Sequence, residues 1–379
     1  ITAERNVAVD VEGFEAEMAA QRKRAKDARK DVTASEHLDD YQELVEQFGL
    51  TDYQARSDLM ELEAEILAVI GDAVFLSRTP FYAEAGGQVG DTGTITTETG
   101  TIEVGDTTYA LPGLVRHHIA KLEGTVYPGQ AATASVAVDR RNAIRRNHTA
   151  THLLHEALRQ TLGDHVAQKG SLVAPDRLRF DFAHPQALTA EELRAVEELV
   201  NARVLADEAV HVVESSYDEA IGQGVMALFG EKYGDRVRRI EVGSFSRELC
   251  GGTHVSRTGE IGAFLITGES GIAAGTRRIE AQTGFGALRE SRRWRESIDG
   301  VRRVLQAGAE ELPLKVATLH DEVTKLKKQI KELKAKGGDD PLAAAAPEGL
   351  PGGAALIATL DLEEGTDLRA FGDRARTRL

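Results

Sequence analysis

The chain has 379 residues, 41% of them hydrophobic and 28% charged, enough to build the cores of roughly two to four domains. Its formal net charge of −15 counts against a general nucleic-acid binder, although a local basic patch can still track phosphates. No apolar run of roughly 18 residues and no signal peptide is found, and a lone cysteine, Cys250, cannot form an internal disulfide, which fits a reducing, cytoplasmic setting.

Taken in order, residues 13–30 carry Phe14 and Met18 in a highly charged stretch, the mark of a helix with one narrow apolar edge. Leu62, Ala64, Ile66, Ala68 and Ile70 then alternate with Glu61, Glu63 and Glu65, a period-two strand signal. From there to Asp139, Thr, Val and Gly with frequent turn residues predict several short strands in a small β-barrel or sandwich. Within it, Thr79–Asp91 is too long and irregular for a hairpin turn. Gly86 and Gly87 in that segment would let backbone N–H groups approach a ligand, a plain surface loop being the alternative.

After Asp139 the pattern becomes mixed α and β. A helix is expected from Asp139 to Leu162, stopped by Gly163, and another from the Thr189/Glu192 capping box through Leu205. Short β-like segments surround Phe180, Val212, Ile240 and Phe264. Beyond Gly286, Leu312, Val316, Leu319, Val323, Leu326, Ile330 and Leu333 recur at alternating four-three spacing, a coiled-coil seam of about three heptads. The helix around Trp294, Ile298, Val301 and Leu305 is expected to fold back on it, with a bend near Pro313. A linker over 337–353 and a new unit over 354–379 complete the reading. The chain opens at Ile1 rather than Met and ends inside the helix-like stretch Leu368–Arg376, which leads us to expect part of a longer protein.

Two residue pairs carry the chemistry. His148 and His152 form H-x-x-x-H; after 97 intervening residues Cys250 and His254 form C-x-x-x-H. On a helix the i,i+4 spacing sets both imidazoles on one face, whereas Gly251 and Gly252 argue that the second pair lies in a tight loop. Three imidazoles and a thiolate suit a borderline-soft cation, Zn²⁺ being the usual one. A zinc protease would need Glu directly after the first histidine, and Thr149 stands there. His155 shares the helical face as a ligand, a supporting residue or a packed histidine. Arginines cluster at Arg140, Arg141, Arg145 and Arg146, at Arg236, Arg238 and Arg239, at Arg277 and Arg278, and at Arg289, Arg292, Arg293 and Arg295, as candidate phosphate contacts or as solvated charges.

Six segments, Phe81–Asp91, Arg146–His152, Gln168–Val173, Met226–Tyr233, Glu248–His254 and Gly275–Gly284, resemble the editing half of bacterial alanyl-tRNA synthetases, in family order. The resemblance implies an α+β multidomain chain. Its parts would be a helical remnant of the tRNA-recognition region over 1–50, a β-barrel-like domain over 51–139 and an α/β editing domain over 140–285. A helical coiled-coil hairpin over 286–336 and the start of the C-terminal domain over 354–379 would follow. It assigns zinc to His148, His152, Cys250 and His254, and the positioning of water to Gln168. Gly86 and Gly87 would hold the aminoacyl end or terminal adenosine. Zinc would either activate water or order the pocket, the second being preferred because four protein donors close the site. The implied partner is tRNA(Ala), with a homodimer through the coiled coil and C-terminal domain, and no membrane. No segment resembles the class II aminoacylation site, so ATP and Mg²⁺ chemistry is not expected of this chain. Free-standing editing proteins and the threonyl enzyme's editing domain share the two pairs, but the helical segments flanking them here favour the full synthetase. A metal-dependent hydrolase of another substrate and a zinc-stabilised interaction module remain as alternatives.

Overall fold

The computed structural model describes residues 37–222, 225, 235–337, 348–355 and, singly, 369, 372, 373 and 376. The helix expected over 13–30, the segment Met226–Tyr233 and nearly all of the unit expected from 354 lie outside them. The chain divides into two compact units, residues 1–291 and 292–379.

In the first unit, α1 (Leu38–Phe48) leads into β1 (Asp52–Tyr53), β2 (Glu61–Ile70), β3 (Ala73–Leu76), β4 (Arg78–Thr79), β5 (Gly93–Thr97), β6 (Gly100–Leu111), β7 (Leu114–Gly124) and β8 (Ala131–Val136). Six of these strands close a barrel in the order β2-β3-β7-β6-β5-β8, so of the two architectures the sequence allowed, the barrel is the one formed. The alternation in β2 puts Leu62 and Ile66 inside and Glu61, Glu63 and Glu65 outside. A bulge between Ile66 and Ala68 then turns Leu67 outward, under Tyr41 and Leu44 of α1. All four residues of β3 are therefore buried: Val74 and Leu76 fill the barrel, while Ala73 and Phe75 lie beneath α1.

The mixed domain follows as α2 (Val138–Leu162), β9 (Gln168–Val173), β10 (Leu178–Ala183), α3 (Ala190–Leu205), β11 (Val210–Ser216), α4 (Tyr217–Gly222), β12 (Arg236–Val242), β13 (Ser246–Leu249), β14 (Phe264–Ala273) and β15 (Thr276–Thr283). Gly163 ends α2 at φ 112°, a conformation most side chains avoid. Thr189 and Glu192 form the reciprocal capping box that starts α3. The strands make an antiparallel sheet β14-β15-β10-β9 and a second sheet β11-β12-β13. Leu153, Leu154, Ala157 and Leu158 of α2 and Val196 and Val200 of α3 pack on Phe180, Phe182 and Ile279 of the first sheet.

Barrel and mixed domain are joined by a buried ion pair. The Arg141 guanidinium, at the start of α2, donates to Asp91 Oδ2 and to the carbonyls of Ala55 and Pro80, with both charged side chains at most 1% exposed. Removing one partner of such a pair costs about 3–5 kcal/mol because the other charge stays buried. Several other arginines proposed as phosphate contacts already have partners within the chain. Arg140 donates to Gly90 O, Arg145 to Ser57 O, Arg277 to Glu269 and Arg278 to Asp181, while Arg236 and Arg239 face Glu214 and Glu241.

The second unit holds the later part of α5 (Gly284–Leu305), a 3₁₀ turn at Ala309–Glu311, α6 (Leu312–Gly337) and a hairpin of β16 (Glu348–Leu350) with β17 (Gly353–Ala355), which straddles the boundary expected between the linker (337–353) and the next unit. The bend comes at Gln306–Glu311, with Gln306 at φ 48°, and Pro313 occupies the first turn of α6. Val301, Val304 and Leu305 face Val316 and Leu319 across an apolar groove. Further along the seam, Val323, Leu326, Ile330 and Leu333 stay 48–67% exposed. The heptad pattern is thus on a helix, but among the described residues no helix covers its second half.

One barrel residue makes stability depend on pH. His117 is fully buried between Thr79 Oγ1 (2.7 Å) and the Val74 carbonyl (3.1 Å), and burial pushes its pKa down to about 4 from 6.5. The folded barrel therefore holds it neutral where the unfolded chain would protonate it. Its contribution is fully present above pH ~6.5 and declines towards pH 4, by up to about 1.4 kcal/mol per pH unit. Urea unfolding from pH 7.5 to 4.5 should show this slope, and His117→Gln should flatten it.

Candidate metal centre and active site

The middle of α2 presents His148 and His152 on one face, one turn apart, with ring centroids separated by 5.4 Å. The loop leaving β13 brings back Cys250 and His254, and one donor atom from each of the four residues lies within 4.8 Å of all the others. Cys250 Sγ is 3.3 Å from the Nε2 atoms of both His148 and His254. Adjacent donors on a tetrahedral zinc are about 3.3–3.7 Å apart given metal–ligand lengths of ~2.0–2.3 Å, so the set needs only a small contraction to hold that ion.

Each imidazole is held from behind. His148 Nδ1 is 2.7 Å from Gln88 Oε1, His254 Nδ1 is 3.1 Å from Thr149 Oγ1, and His152 Nδ1 is 2.9 Å from Glu248 Oε2. The orientation of Gln88 follows from chemistry: its Oε1 also faces the Thr253 backbone N–H at 2.9 Å, which can only donate, so that atom must be the oxygen. His148 therefore carries its proton on Nδ1, and its Nε2 lone pair points at the cluster. Such partners fix the tautomer and ring plane of metal-binding histidines.

Glu248 is buried between His152 and His155, the latter at 3.0 Å. Burial opposes its ionisation, but the two histidines outweigh it and hold the carboxyl well below its usual range. Burial likewise resists a thiolate at Cys250, yet the surrounding imidazoles bring its pKa well below normal. Burial and neighbouring His148 push His254 down to about 3, leaving it neutral. His152 moves the other way, up to about 10: burial opposes its charge, while Glu248 and Cys250 favour it. A thiolate and neutral imidazoles are the forms that bind a cation, and the second proton of His152 is the one a cation would displace. His155 lies outside the donor cluster; it supports Glu248 and packs on Phe180 at 5.0 Å.

The cluster opens into a cavity of about 210 Å³ whose walls include Gln168, Gly86, Thr151, Ser171 and Arg56. Lys169 is an extra residue in the pairing of β9 with β10, where Asp181 faces Gly170 and Phe182 faces Gln168. The bulge puts Gln168 on the same face as Ser171, towards the cavity. Gly86 lines the cavity at φ 57°. Gly87 does not; at φ 82° it abuts the Ser171 backbone, and its carbonyl accepts from Val173 N at 2.7 Å, pinning the loop to β9.

The paired glycines after Cys250 are explained by contact rather than by backbone angle. A Cβ on Gly252 would enter the His148 ring and crowd Gln88 Oε1. Around them, guanidinium groups bind three successive carbonyls: Arg238 takes those of Cys250 and Gly252, and Arg56 that of Gly251. The sequence reading assigned no role to Gln88, Thr149 or Glu248. The signal available was general: buried ligand histidines need acceptors on their far nitrogens, and all three residues lie inside the quoted motifs. Gly252→Ala should displace His148 and lower metal affinity by about 10–100-fold, measured by competition with a chromogenic chelator.

A family model described as tRNA synthetases class II (A) matches residues 1–140, and one described as threonyl and alanyl tRNA synthetase second additional domain matches residues 237–280. Alanine–tRNA ligase of Bordetella pertussis is 43% identical over all of this chain and 44% of its own length. That of Hydrogenovibrio crunogenus is 42% identical over all of this chain and 45% of its length, and that of Cereibacter sphaeroides is 40% identical over 99% and 45%. The chain spans a little under half the length of these curated relatives. With that identity running along the sequence from end to end, the chain belongs to the alanine–tRNA ligase family.

Proposed function

We propose that this chain is the proofreading part of an alanine–tRNA ligase, hydrolysing Ser-tRNA(Ala) and Gly-tRNA(Ala) while sparing the alanyl ester. The observation that carries this reading is that one small cavity is lined by three of the four clustered donors, His148, His152 and Cys250, together with Gln168 and Gly86. The whole parent would attach alanine to tRNA(Ala) with ATP and Mg²⁺ at a site outside this chain, act in the cytoplasm and pair as a homodimer through α6 and the C-terminal domain. Within the described residues no helix is long and apolar enough to cross a membrane.

The need for a second site is physical. A pocket shaped for alanine rejects glycine only by the contacts of one methyl group, worth ~1–3 kcal/mol, and discriminates weakly against an added hydroxyl. A separate site that hydrolyses the wrong ester restores accuracy.

His148, His152, Cys250 and His254 would hold Zn²⁺, whose contribution when bound is to order the pocket and attract the substrate's amino or hydroxyl group. The rest falls to the chain. The Gln168 amide both donates and accepts, so it can hold a water against the ester carbonyl. Attack by that water breaks the bond to the ribose oxygen, which leaves with a proton. Backbone N–H groups at Gly86 would hold the aminoacyl end or terminal adenosine, and Gly87 keeps that loop against β9. A metal-stabilised interaction module predicts bound zinc without turnover, and a hydrolase of another substrate predicts turnover of small amino-acid esters but not of charged tRNA.

Ser-tRNA(Ala) incubated with zinc-loaded chain should lose its serine, and a chelator should stop the reaction. Intact Ser-tRNA(Ala) under conditions where binding is demonstrated would sink the reading. Cys250→Ala should lose zinc and hydrolysis together; activity retained without metal would remove zinc from the account.

A further inference from the structure

We propose that Arg56 is the anion clamp of the cavity, binding the phosphate 5′ to the terminal adenosine of the charged RNA; this rests on the proofreading reading. Arg56 comes from the short segment between β1 and β2, yet it reaches a loop 195 residues away, where its Nε donates to Gly251 O at 2.9 Å. It is exposed and lines the cavity, which places it at the rim. One nitrogen holds the loop; its Nη groups make no hydrogen bond or ion pair to any described residue. Its guanidinium carbon also lies 5.6 Å from the Tyr53 ring centroid, within cation–π range.

Comparison with Arg238 sharpens the assignment. Both arginines bind carbonyls of the Cys250–Gly252 loop, but Arg238 spends its Nη1 on two of them and is part-buried. Arg141, Arg277 and Arg278 are paired with carboxylates. Arg56 is thus a cation at the cavity mouth that, among the described residues, pairs with no carboxylate, in a chain of net charge −15. The substrate's chemistry selects its partner. In an aminoacyl ester the amino acid's carboxylate is consumed by the ester bond, so the nearest anion is the backbone phosphate of the terminal nucleotide. A cavity of about 210 Å³ accepts the aminoacyl group and part of the sugar and leaves that phosphate at the rim. A guanidinium held by one N–H and offering the others is suited to phosphate oxygens.

The test compares seryl-adenosine with seryl-adenosine 5′-phosphate, which differ only in the anion, on the zinc-loaded full chain. The phosphate should raise kcat/KM by about tenfold or more, chiefly through KM. In Arg56→Gln the ratio of the two kcat/KM values should fall to about one, and Arg56→Lys should restore part of it. If Arg56 only braces the loop, both rates fall in proportion and the ratio survives, which overturns the proposal; so does a ratio near one in the unaltered chain. Turnover of neither ester nor of Ser-tRNA would defeat the proofreading reading itself. Arg56 is then judged by binding of an RNA oligonucleotide ending in CCA across a salt series. A log K–log salt slope shallower by about one in Arg56→Gln sustains the clamp, and equal slopes overturn it.

Discussion

A four-donor cluster assembled from two segments 97 residues apart is only as ordered as the groups that hold its imidazoles from behind. Gln88 is the central one. Its single buried amide accepts from His148 and from the Thr253 backbone and donates to the Thr253 hydroxyl. One side chain from the barrel loop thereby ties α2 to the Cys250–His254 loop. The loop bearing Gln88 is itself held by the backbone pairing of Gly87 and Val89 with Val173, and by the Arg141–Asp91 pair that ends it. Barrel, helix and sheet converge on this amide. Its replacement by an apolar side chain would leave buried partners unsatisfied, at about 1–3 kcal/mol each.

The electrostatics of the site are local and largely self-cancelling. Glu248 is shared by two imidazoles and Cys250 is surrounded by three, so the donor set is balanced inside a low-dielectric wall. Several arginines that look in sequence like a phosphate-binding patch are spent on carboxylates and carbonyls. On the proposed reading, overall negative charge and RNA binding are compatible, because the proposed phosphate-binding cation, Arg56, stands at the cavity mouth rather than being spread over a surface.

The second unit obeys a different logic. Its long helices satisfy their backbone hydrogen bonds internally, so they form without burying the heptad seam. The first part of that seam faces α5 across an apolar groove, whereas the later positions face outward. Periodicity specified the helix and its apolar stripe, but carried no information about what covers it.

Local patterns determined much of this protein. Alternation in β2, the Thr189/Glu192 capping box, the stop at Gly163 and the i,i+4 pair on α2 are short-range features that backbone geometry decodes one segment at a time. The two donor pairs were legible because ligand chemistry restricts residue types and helical spacing restricts positions. Only the tertiary structure decided that the loop with Gly86 closes over the donors, that Gln88 and Glu248 orient the imidazoles, and that Arg56 stands at the rim while Arg141 is sealed in the core. It also decided that Gly252 is small because His148 lies against it. Each of these depends on partners between 50 and 195 residues apart, where side-chain packing sets the outcome and no sequence period records it.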